Sequence, residues 1–79
     1  METASAIDVM LSTLNATDVG TLDSIALKLR EVKEQLEVLG QVELAVRVDG
    51  AIGALGRGDV VEFKKTRAFL QSKIGHLRR

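Results

Sequence analysis

The chain has no cysteine, proline, tryptophan or tyrosine, and it holds one histidine and two phenylalanines in 79 residues. Each absence narrows the possibilities. Without cysteine there is no disulfide and no thiolate ligand to reinforce a fold of a size where one core is marginal, so oligomerisation is the expected help. Without proline, only glycine is left to stop a helix, which favours long helices. The first 20 residues contain no Lys or Arg, hence no charged leader of a secretory signal, and no apolar run reaches the roughly 18 residues of a membrane span. A soluble, cytoplasmic protein is expected.

The scarce histidine also bears on catalysis. Ser/His/Asp and Cys/His chemistry needs an imidazole held by its neighbours, and His76 falls near the end of the chain, where it reads as a surface residue at a helix terminus. No Glu-x-x-His pair accompanies the Glu31, Glu34 and Glu37 row, so that row reads as a solvated face and not as a metal site. Asp49 borders an apolar face, and an acid in that position is expected to pair with a base. No catalytic residue, cofactor or metal is expected.

Among what is present, the stretch from residue 49 to 63, DGAIGALGRGDVVEF, draws attention for its glycines. A Walker loop requires Gly-Lys-Ser/Thr after its first glycine and four residues, but Gly58 is followed by Asp59 and Val60. A dinucleotide fingerprint requires Gly-x-Gly-x-x-Gly after a strand, and here the order is Gly53-x-x-Gly56-x-Gly58. Gly56 or Gly58 suits the end of a helix, and Asp59 with Glu62 three residues later matches a capping box. The stretch is therefore a helix-to-helix corner. Its Arg-Gly-Asp at 57–59 carries no adhesion reading without a secretory signal.

Residues 21–39 set Leu22, Ile25, Leu29, Val32, Leu36 and Leu39 at alternating spacings of three and four, a helical seam. Thr21 is the expected N-cap and Gly40 the left-handed residue after the last turn. Residues 41–55 alternate like a strand up to Asp49-Gly50, yet AIGALG makes a poor second arm. A largely buried helix is expected there, with Val42, Ala45, Val48, Ile52 and Leu55 inward, Leu44 and Ala51 beside them, and Glu43, Arg47, Gly50, Ala54 and Arg57 outward. Gly50 and Gly53 would mark a close backbone approach. Residues 60–77 continue the spacing through Val60, Phe63, Leu70, Ile74 and Leu77, with Arg67 interrupting. Residues 5–14 should form a short helix on Ile7, Met10, Leu11 and Leu14, followed by a flexible NATDVG link. The fold class expected is all-α: a single small antiparallel bundle over residues 1–79, one short N-terminal helix plus three longer ones, the second and fourth packed on a buried third.

Leu27, Val38, Val61, Ala68 and Phe69 fall outside these seams, more apolar side chains than a small protein leaves in water. They predict a self-association surface, most simply a homodimer through Leu27, Val38, Val61 and Phe69; a wider intramolecular core is the competing reading. Charge is balanced, 11 bases against 11 acids, but not evenly spread. Residues 1–20 hold Glu2, Asp8 and Asp18 with no base, and residues 64–79 hold Lys64, Lys65, Arg67, Lys73, Arg78 and Arg79 with no acid. The function expected is a non-catalytic helical module that binds a protein partner, an adaptor or regulator. The alternative is a nucleic-acid binder using the basic C-terminal helix, although no Tyr or Trp is present to stack on bases.

Overall fold

The computed structural model describes residues 3–77. Among them the chain forms α1 (Thr3–Asn15), a 3-10 turn (Ala16–Asp18), α2 (Leu22–Val38), α3 (Val42–Arg57) and α4 (Val60–His76), with no strand. The all-α bundle is as expected, and residues 42–57 are helical. Glu2, Arg78 and Arg79 lie outside the described residues.

Local chemistry sets the helix ends. The Thr21 hydroxyl accepts the Ser24 N–H at 3.1 Å, and Asp59 Oδ1 accepts the Glu62 N–H at 3.1 Å, each satisfying an orphan donor of a first turn. Glu62 turns its own carboxylate forward, where it accepts from the Thr66 hydroxyl at 3.2 Å. Gly40 and Gly58 take φ of +77° and +75°, the left-handed geometry a side chain would strain. The connections are thus only three and two residues long, and they turn successive helices back on one another.

The helices close into a ring. α2 lies along α3 and α3 along α4, while α1 rests against α2 and α4; among the described residues the backbones of α1 and α3, and of α2 and α4, do not come close and face each other across the core. The ring surrounds one core: Ile7, Met10 and Leu14 from α1, Ile25, Leu29, Val32 and Leu36 from α2, Ala45, Val48, Ala51 and Ala54 from α3, and Phe63, Leu70 and Ile74 from α4. Fully burying one of the larger of these contributes about 1.5–3 kcal/mol.

Four expectations are corrected. First, α3 is not largely buried. Its outer side, with Val46, Arg47, Asp49 and Gly50, is exposed, because only α2 and α4 flank it. Second, Ala54 faces inward. It is fully buried in the core cluster, and its carbonyl accepts the Asp59 N–H at 2.9 Å. Third, no backbone approaches Gly50 or Gly53: a β-carbon at Gly50 would meet nothing within 4 Å, and one at Gly53 only the Arg57 side chain at 3.4 Å. Fourth, the NATDVG link is ordered by Thr17. This residue is buried, donates to the Leu14 carbonyl at 2.6 Å and accepts from Arg67 at 3.4 Å.

The seams also shorten at their starts. Leu22, Val42 and Val60, each the first residue of its helix, are exposed. Helical side chains lean toward the N-terminus, so an apolar residue in the first position reaches past the end of its neighbours instead of into them.

Candidate functional site

Leu27, Val38 and Val61 are 60%, 81% and 71% exposed, so the single chain does not absorb them into a wider core. They do not make one patch. Leu27 and Val38 stand on α2 and Val61 on α4, helices that the ring places on its diagonal. Phe69 differs from all three. It is half-buried, with the Arg47 guanidinium 4.5 Å from its ring centroid and the Lys73 ammonium 5.7 Å away, both within range of a cation–π attraction.

Around Phe69 the structure assembles a site that the sequence pattern did not suggest. A groove of about 810 Å³ opens between the start of α3 and the end of α4. Val42, Leu44, Val46, Phe69 and Leu77 give it an apolar lining, Arg47, Lys73 and His76 add basic groups, and Glu43 is its acid. Val42 and Val46 are 64% and 61% exposed, an apolar pair left in water at i and i+4 on one helix. The arrangement suits an amphipathic segment with carboxylates beside its apolar face. Every buried side-chain nitrogen and oxygen among the described residues has a hydrogen-bond partner.

The basic residues named from the sequence divide by direction. Lys64 and Lys65 are exposed on the outer side of α4, opposite the buried Phe63, Leu70 and Ile74. Lys73 lines the groove. Arg67 turns inward: it is half-buried, donates to Thr17 at 3.4 Å and lies 5.7 Å from the Phe63 ring centroid. Beside it the Gln71 amide donates to Asn15 Oδ1 at 2.8 Å, so two α4 side chains fasten the end of α1 and the 3-10 turn that follows it. Arg67 therefore serves the α1–α4 contact more than an outward charge.

The acids are arranged differently. Asp49 pairs with Lys33 at 3.1 Å across α2 and α3, as an acid bordering an apolar face should. Glu31, Glu34 and Glu37 are exposed, and no group of three or more metal-ligating side chains occurs among the described residues. His76 is exposed at the end of α4 and borders the groove. A second, smaller recess of about 320 Å³ lies where the starts of α2 and α4 meet the end of α3, lined by Leu22, Leu55, Val60 and Phe63 among others. Among the described residues no helix is long and apolar enough to cross a membrane. Comparison with protein-family models, with curated proteins and with solved structures gave no match.

Proposed function

We propose that the protein is a non-catalytic interaction module of the cytoplasm, an adaptor or regulator that uses the α3–α4 groove to receive an amphipathic helical segment. The groove carries this reading: exposed Val42 and Val46 beside Phe69, with Arg47 and Lys73 positioned to meet carboxylates. Helix-in-groove recognition works through such i, i+4 apolar anchors, and flanking charge sets orientation and suppresses wrong partners.

The test is affinity capture from host lysate with three proteins: the wild type, a Val46→Ser/Phe69→Ser variant and a Lys64→Gln/Lys65→Gln variant. Proteins retained by the wild type and the lysine variant but lost by the groove variant support the reading. If the groove variant retains every bound protein, the groove is not the receiving surface.

A second reading rests on the outward pair Lys64 and Lys65, which have no ion-pair partner among the described residues. It is electrostatic binding of nucleic acid along α4. A labelled DNA duplex then binds with a log–log salt slope near about −0.9 per phosphate neutralised, and the lysine variant abolishes binding. An apolar docking contact is far less sensitive to salt.

A further inference from the structure

The groove has a counterpart on the same chain. α2 presents an outward strip of Leu27, Glu31, Glu34 and Val38, all exposed and opposite the buried Ile25, Leu29, Val32 and Leu36. Along the strip the order is apolar, acidic, acidic, apolar. Arg30 and Glu37 flank it on one side, and the neighbouring Lys33 pairs with Asp49 at 3.1 Å. The Glu31 and Glu34 carboxylates are exposed and have no ion-pair partner among the described residues. At about 1.5 Å per residue the strip is about 16 Å long, and the α4 wall of the groove from Phe69 to Leu77 is about 12 Å.

We propose that α2 of one copy of this chain seats in the α3–α4 groove of another, with Glu31 and Glu34 against Arg47 and Lys73, and Leu27 and Val38 on the apolar lining. The inference rests on the groove reading above and names its occupant. Charge selects this pairing over the symmetric ones. Strip against strip opposes carboxylates, and groove against groove opposes two surfaces on which Arg47 and Lys73 outnumber Glu43, whereas strip against groove brings mainly unlike charges together. A chain with 11 bases and 11 acids has no net charge to keep its copies apart.

The geometry also sets the kind of assembly. The strip points straight away from the core on α2, while the groove opens between α3 and α4, so one contact consumes the strip of one molecule and the groove of the next. Each pair keeps a free strip and a free groove. Such a head-to-tail contact repeats into rings or chains and does not stop at a two-fold dimer. One helix strip in a short groove is also small beside the roughly 1,600 Å² of a standard interface, so the association should be weak and visible only at high concentration.

Sedimentation velocity across tens to hundreds of micromolar tests this, with far-UV circular dichroism to show that each variant keeps its helices. The wild type should rise with concentration from the 8.5 kDa monomer past the dimer mass. Glu31→Lys/Glu34→Lys and Arg47→Glu/Lys73→Glu should each remain monomeric alone. Mixed in equal amounts they should regain assembly, because each supplies the surface that the other's reversed surface matches. A monomeric wild type overturns the proposal, as does failure of the mixture to recover. So does assembly of the Glu31→Lys/Glu34→Lys variant with wild type when Arg47→Glu/Lys73→Glu has no effect, since that pattern belongs to a two-fold α2 contact. If self-assembly fails while lysate proteins are still lost with Val46→Ser/Phe69→Ser, the groove reading stands and only its occupant is wrong.

Discussion

The corners at Gly40 and Gly58 are built alike and finished differently. At the first, the Gly40 N–H donates to the Glu37 carbonyl at 3.0 Å and the Gln41 N–H to the Leu36 carbonyl at 2.8 Å. At the second, the Gly58 N–H donates to Leu55 at 3.1 Å and the Asp59 N–H to Ala54 at 2.9 Å. Both are Schellman closures, in which a left-handed residue lets two backbone donors satisfy the last carbonyls of a helix. The following residues adopt nearly the same backbone, φ −90° and ψ 68° at Gln41 against φ −86° and ψ 82° at Asp59. Only Asp59 caps the next helix with its side chain. The corner beside the groove is thus the less finished of the two.

The comparison breaks most severely at the residue each corner closes on. Leu36 is fully buried, and Leu36→Ala should cost about 2–5 kcal/mol through lost burial and a residual cavity. Ala54 holds the equivalent place at the second corner and is fully buried. Ala54→Leu should cost about 1–3 kcal/mol by overpacking. Urea unfolding reads both; if Ala54→Leu is neutral, the α3–α4 contact is looser than the structure shows.

Next come the glycines themselves. A β-carbon at Gly40 or Gly58 meets nothing within 4 Å, so the cost of Gly→Ala is conformational alone. The left-handed penalty of about 1–2 kcal/mol, partly offset by a stiffer unfolded chain, leaves about 1 kcal/mol at each corner. In a domain of this size that is about 4–8 °C in Tm. The two variants should fall together, and a difference of more than half that shift would show that one corner is held by something besides its backbone.

These corners were legible in the sequence because their causes are local. Thr21, Gly40, Gly58 and Asp59 each answer a demand made by the few residues around them, and the structure places all four as that demand requires. The seams through Ile25, Leu29, Leu36, Leu70 and Ile74 were legible for the same reason, since periodicity alone names a face. The groove was not. Val42 shares a face with Ala45 on a helical wheel, and only the position of the neighbouring helices reveals that one is buried and the other 64% exposed. Ala54 misled in the opposite sense, because the core that buries it is supplied by the other helices and not by the helix being read. Glu31 and Glu34 were legible as solvated, but a solvated face acquires a partner only once a complementary groove is known.

The finest test finishes the first corner to match the second. Because the backbones at Gln41 and Asp59 nearly coincide, Gln41→Asp should place a carboxylate where it accepts the Leu44 N–H, as Asp59 does for Glu62. Capping and the favourable charge at a helix N-terminus together predict a gain of about 0.5–1.5 kcal/mol. Gln41 also lines the groove, so the same carboxylate adds a negative charge beside Arg47 and Lys73. Stability and assembly should then move in opposite directions: Tm rises by a few degrees while the concentration needed for self-association increases several-fold. Gln41→Ser separates the two effects, since it caps without charge and should raise Tm with little change in association. A Gln41→Asp protein that is more stable and assembles as readily as the wild type would show that the carboxylates of an incoming α2 strip do not seat at this end of the groove.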